Sequence, residues 1–133
     1  MPCEIKIYSL KDFLRLNEVG SLDRERSKAM IRKLSTASVI HETDNILIDL
    51  RETTLVDCSM ADLLEIASEF VRYLHPFTGK IANMIPADRD RLDVARRFKS
   101  SLVLHGFDYD FFTSFEDAIE WLSSPSKVES CEP

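Results

Sequence analysis

The run Ile46-Leu47-Ile48-Asp49-Leu50 has one polar residue in five. In an extended strand, successive side chains point to opposite faces, so this run puts apolar groups on both and must be covered on both. Ile81-Ala82-Asn83-Met84-Ile85, closed by Pro86, repeats the pattern. Between them, Leu63, Leu64, Ala67, Phe70, Val71 and Leu74 recur at i, i+1, i+4, i+7, i+8 and i+11. That is the cleanest helical period in the chain. Ser59 with Asp62 three residues later offers a capping-box-like start, and Pro76 and Gly79 stop the helix. Two doubly covered strands joined through a helix require parallel pairing with a right-handed crossover.

The flanking segments extend this alternation. Ile5 and Ile7 alternate with Glu4, Lys6 and Tyr8, and Leu14 and Leu16 with Phe13, Arg15 and Asn17. Period two predicts two strands, with Ser9 to Asp12 short enough for a hairpin. From about Asp23 to Ser38, Leu22, Met30, Leu34 and Ala37 fall near one helical face. Arg24, Arg26, Lys28, Arg32 and Lys33 fall mostly elsewhere. Asp88 to Leu104 predicts a third helix, with Leu92, Ala95, Phe98 and Leu102 inward. Tyr109 to Phe112 predicts a last strand. Ser114 caps a final helix carrying Phe115, Ala118, Ile119 and Leu122. The predicted order is β-β-α-β-α-β-α-β-α: an α/β domain with a mixed, mainly parallel sheet of about five strands and four helices. It occupies residues 1–122, and the polar, proline-containing stretch 123–133 reads as a loose tail.

The chain has 133 residues, with 17 basic and 23 acidic side chains and a formal charge of −6. This length suits one domain. Apolar residues at 44% and charged residues at 30% describe an ordinary globule. The acidic balance argues against nucleic acid or anionic membrane as partner. No apolar run approaches a membrane span, and the N-terminus lacks signal-peptide character, so the expected location is cytoplasmic. Cys3, Cys58 and Cys131 have no metal-ligand or disulfide-framework spacing. His41, His75 and His105 lack metal-site spacing, so no metal is expected. With three glycines and no GxGxxG, GxxxxGK[ST] or GxSxG, neither a nucleotide-cradling loop nor a hydrolase elbow is present. No cofactor is expected. The charges at Asp88, Arg89, Asp90, Arg91, Asp93, Arg96, Arg97 and Lys99 read as a solvated helix face with i,i+3 and i,i+4 pairs. Asp49, in an apolar strand and followed by Arg51, requires hydrogen-bond partners, and adjoining backbone N–H groups are the common ones.

The stretch LIDLRETTLVDCSMADLLEIASEF resembles the STAS fold of anti-sigma-factor antagonists. A buried strand ends in Asp-Leu, and an Asp-x-Ser turn then opens an apolar helix. The likeness is closer still to the SpoIIAA-like family of small bacterial proteins of unassigned function. The closing DYDFFTSFEDAIEWL, with Ala118, Trp121 and Leu122, and EVGSLD near residue 20 are similar to other segments of that family. The resemblance covers about residues 4–122. In regulatory STAS proteins the turn reads Asp-Ser/Thr-Ser-Gly, and the residue after Asp accepts phosphate. Here the turn is Asp57-Cys58-Ser59-Met60, with a thiol at the acceptor position.

The resemblance implies a non-enzymatic regulatory module that binds a protein partner. The surface would be the turn Asp57, Cys58 and Ser59, with Asp49 and Arg51 as strand-end support. A homodimer is a further expectation, since small domains with open sheet edges commonly form two-fold dimers. Two other readings remain. Phe98, Phe107, Phe111, Phe112 and Phe115 cluster in the last third of the chain and suit a carrier of a small apolar, lipid-like ligand as well as core packing. Cys58 at a helix N-terminus suits thiol-dependent catalysis, although no basic partner is identifiable.

Overall fold

A computed structural model describes residues 13–41, 45–56, 59–74 and 79–123. Its elements run β1 (Leu14–Leu22), α1 (Arg24–His41), β2 (Asn45–Leu55), α2 (Met60–Leu74), β3 (Lys80–Met84), α3 (Arg89–Leu104), β4 (Asp108–Phe112) and α4 (Phe115–Ser123). The four strands form one parallel sheet in the order β1-β2-β3-β4. The strand expected around Ile5 and Ile7, its hairpin and the mixed pairing it would bring lie outside the described residues. So does the stretch 124–133.

Each crossover steps to the next strand in the same direction, so a common handedness places α1, α2 and α3 on one face. The packing agrees. Ile46, Ile48, Leu50 and Ile81 meet Ile31, Leu34, Ala67, Phe70 and Leu102 in the larger core. On the opposite face Leu47, Ala82 and Met84 pack against Ala118, Ile119 and Leu122 of α4. The two apolar runs therefore lie where both faces need cover, with Ile46, Leu47, Ile48, Ile81, Ala82 and Met84 essentially inaccessible.

The helix caps follow from local chemistry. Asp23 Oδ1 accepts the Arg26 N–H at 2.8 Å, Asp88 Oδ2 the Arg91 N–H at 3.2 Å, and Ser114 Oγ the Asp117 N–H at 3.2 Å. Each side chain satisfies a donor with no intrahelical partner.

β2 is twice as long as its apolar run predicts. Asn17 pairs with Asp49, but Val19 pairs with Glu52, so β2 carries one extra residue at a bulge. Beyond it, β2 continues beside β1, with Gly20 opposite Thr53 and Leu22 opposite Leu55, while β3 ends opposite Asp49. The ends of β1 and β2 thus project as a two-stranded ribbon. Gly20, at φ 94°, takes a backbone conformation that side chains disfavour. The Arg26 guanidinium holds the ribbon by donating to Ser21 O at 2.6 Å and Val19 O at 2.7 Å.

Several inward assignments change. Ile31 and Ile66 are buried, whereas Leu64 is 58% exposed and Phe115 is 38% exposed. Helical period alone cannot fix the centre of the buried stripe when apolar residues adjoin. Arg91 is also buried, where the mixed-charge helix suggested a solvated face. Its Nη1 donates to Thr53 O at 2.8 Å and its Nη2 to Thr53 Oγ1 at 3.1 Å. The expected pairing survives between Arg96 and Asp93 at 2.6 Å. In native-state hydrogen exchange, amides of Ile46–Leu50 and Ile81–Met84 should be the slowest, since both strands are central and doubly covered. Exchange there as fast as in Ser21–Thr54 pairings of the ribbon would contradict this sheet order.

Candidate functional site

The turn before α2 is the first candidate. Asp57 and Cys58 lie outside the described residues. Ser59 is described, and it takes part in the cap of α2. Its backbone N–H donates to Asp62 Oδ2 at 3.0 Å, while the Asp62 N–H donates to Ser59 Oγ at 3.2 Å. This is the reciprocal box expected from the spacing, with Asp in place of the longer acid. Hydrogen bonding to its carboxylate by Ser59, first from the backbone N–H and then from the side chain, lowers the Asp62 carboxyl below its ordinary pKa.

Beyond this box the surface is apolar. Met60 is 48% exposed, Leu64 is 58% exposed, and Val56 at the end of the ribbon is 38% exposed. Met60 and Leu64 are four residues apart and share one helix face. Ion pairs to α1 flank that face: Lys28 reaches Glu65 at 2.8 Å and Arg24 reaches it at 3.4 Å. They fix α2 against α1 and leave the apolar stripe outward.

Asp49 and Arg51 do come together, on the other face of the sheet. Arg51 Nε and Nη2 donate to the two carboxylate oxygens of Asp49 at 3.0 and 2.9 Å, and Arg15 Nη2 adds a third bond at 3.1 Å. At the bulge, the Arg51 backbone N–H also donates to Asp49 Oδ1 at 3.2 Å. The expected backbone partner is therefore present, with two guanidiniums added. The Arg51 guanidinium outweighs partial burial and, with Arg15, moves the Asp49 pKa from 3.8 to about 2. Arg15 also lies over the Phe115 ring at 5.2 Å. The cluster clamps β1, the bulge and the start of α4, with both guanidiniums sharing the one carboxylate.

A third place was not singled out in the sequence. A cavity of about 80 Å³ lies between the sheet and α1–α3, with Met30, Ile48, Leu63, Phe70 and Phe98 among its walls. Asn83 and Tyr109 line it as well. Asn83 Nδ2 donates to the Tyr109 hydroxyl at 2.8 Å, and Asn83 Oδ1 is buried with no hydrogen-bond partner among the described residues. Such an unmet acceptor costs about 1–3 kcal/mol. Burial raises the Tyr109 pKa far above the ordinary phenol range, so the group stays protonated. Leu55, Arg91 and Val94 line both this cavity and a groove of about 520 Å³ beside Thr53, Pro86 and Asp88. That groove lies beyond the carboxyl end of β3 and beside the last residues of β2, near where parallel sheets commonly take ligands. Asn83, the one amide in an apolar strand, was the available sequence signal.

The five phenylalanines do not form one pocket. Phe98 and Phe107 pack edge-to-face on Phe70, at 5.5 and 6.0 Å, in the larger core. Phe112 packs with Trp121 on the other face, and Phe115 is partly exposed there. Among the described residues, no group of His, Cys, Asp and Glu is arranged to hold a metal ion, and no helix is long and apolar enough to cross a membrane.

No protein-family model matches the chain, and no curated protein or solved structure matches it either.

Two outcomes follow from this geometry. Ser59→Ala should lower stability by roughly 0.5–2 kcal/mol in urea unfolding, through loss of the cap. A change within error would assign the helix start to Asp62 alone. The lowered Asp49 pKa means that its clamp contributes fully above the unfolded value of 3.8 and is lost as pH falls toward about 2. Wild type should therefore lose stability more steeply than Asp49→Asn across that window. Parallel pH profiles would show that the clamp is energetically silent.

Proposed function

We propose that the chain is a non-enzymatic, STAS-like regulatory module that binds a protein partner through the outer face of the first half of α2. The observation that carries this reading is the exposed apolar pair Met60 and Leu64, one turn apart at the start of α2, which follows Asp57-Cys58-Ser59 in the chain. Exposed leucine and methionine on a capped, ion-paired helix form a rigid apolar anchor for a partner groove. Helices docked in partner grooves are read through such i, i+4 apolar anchors. The arrangement of charge also fits, since Glu65 and Asp62 are already engaged by Arg24 and Lys28 and do not demand a basic partner. A second copy of the chain is an alternative occupant of the same stripe.

The test compares partners recovered from the native host on wild type, Leu64→Asp, Met60→Asp and Leu104→Asp. All three side chains are exposed, so the fold is expected to persist in each variant. Leu104, at the far end of α3, serves as the control. The expected result is a protein recovered on wild type and Leu104→Asp but reduced by at least about tenfold on the two α2 variants. Equal recovery on all four would remove this face from the function. A band that is the chain itself, lost with Leu64→Asp, would assign the face to a homodimer.

A second reading, a carrier of a small apolar ligand, is favoured by the cavity between the sheet and α1–α3.

A further inference from the structure

We infer that the cavity between the sheet and α1–α3 takes the end of an unbranched alkyl chain, while the rest of that molecule lies in the adjoining groove. This inference rests on the carrier reading and is independent of the α2 docking face. The walls decide what can enter. Among the lining residues, Leu55, Val94 and Phe98 keep part of their surface accessible, and all three are apolar. The polar groups of the lining are withheld. Ser27 and Tyr109 are almost fully buried, and Asn83 Oδ1 is enclosed. Arg91 is turned onto Thr53 by two bonds. An entering group therefore meets hydrocarbon, and removal of its own apolar surface from water drives binding.

Size then narrows the shape. The cavity measures about 80 Å³. An apolar cavity that holds benzene measures about 150 Å³, so this one is too small for a ring. A few carbons of a straight chain, thinner in cross-section, do fit. A whole amphiphile does not, and its remainder needs a second space. Leu55, Arg91 and Val94 border both the cavity and the groove of about 520 Å³, so the two spaces adjoin. The chain would continue past Leu55 and Val94 into that groove. There Thr53, Thr54, Asp88 and Asp90 give a polar setting for a polar terminus. The class of ligand is therefore a straight-chain amphiphile that enters tail first.

The test titrates the isotopically labelled full chain with 1-hexanol and, separately, with cyclohexanol, which closes the same number of carbons into a ring. Binding is read from amide shifts of Leu55, Val94, Ala95 and Phe98. 1-Hexanol is expected to bind about tenfold more tightly than cyclohexanol, and affinity should rise about fourfold per methylene from 1-butanol to 1-hexanol. In Val94→Trp, and independently in Leu55→Trp, 1-hexanol affinity should fall by about tenfold, because the indole fills the junction of the two spaces. Both positions are only half-buried, and the comparison of the two alcohols on wild type decides the matter even where a variant fails to fold. Equal affinity for the two alcohols would overturn the straight-chain selection while leaving an apolar carrier standing. Unchanged affinity in both folded variants would overturn the path from cavity to groove. Absence of shifts with either alcohol, up to its solubility limit, would overturn both this inference and the carrier reading. None of these results would touch the α2 docking face.

Discussion

β2 governs the molecule because its two halves face opposite demands. From Ile46 to Leu50 it is sandwiched between the helical layer and α4, and both faces must be apolar. From Arg51 to Leu55 it has lost β3 as a neighbour and, among the described residues, pairs only with β1. The bulge marks the change, and Asp49 stands there as the acceptor for the Arg51 backbone N–H and two guanidiniums. Buried polar backbone must find partners, and a carboxylate at the point where the ladder slips supplies them. Arg91 does the corresponding work on the ribbon from α3, and Arg26 does so from α1.

The uneven cover of the sheet follows from its topology. Four parallel strands taken in sequence put three crossover helices on one face and, among the described residues, leave the other to α4, which has nine residues. Beyond the reach of α4, the second face carries Arg15, Asn17, Asp49 and Arg51, bonded to one another. On the crowded face the helices are held by Phe70 at the centre of four edge-to-face ring contacts with Phe98, Phe107 and Tyr109 and between them. The Asn83–Tyr109 pair lies within this apolar layer, and a polar pair there is costly unless fully satisfied. The apolar stripe of α2 and this pair are thus separate consequences of one architecture. One faces away from the core and the other into it.

Much of this was legible in the chain. The doubly apolar runs gave the parallel centre, and period two at Leu14 and Leu16 gave β1. Ser59 and Asp62 gave the start of α2, and Ser114 gave that of α4. These features depend on contacts within a few residues, so spacing alone encodes them. Asp49 was legible as a residue in need of partners, and its local partner was the one expected. Arg91 was not legible, because nothing in a mixed-charge helix says which cation will meet a strand 38 residues away. Leu64 was misplaced for a related reason. Adjacent leucines at 63 and 64 satisfy the same period, and the approach of α1 decides which one turns inward.

The sequence by itself therefore determined an alternating α/β chain, its caps and the two strands that must be buried on both faces. Those properties arise from side-chain period and local hydrogen bonding, which act along the chain. Only the tertiary structure decided that Leu64 and Met60 face outward, that Arg91 is buried on Thr53, and that Asn83 and Tyr109 share a cavity. Each of those depends on where an element distant in sequence comes to rest. A one-dimensional pattern fixes which residues prefer burial, while the packing of neighbouring elements fixes which of them obtain it.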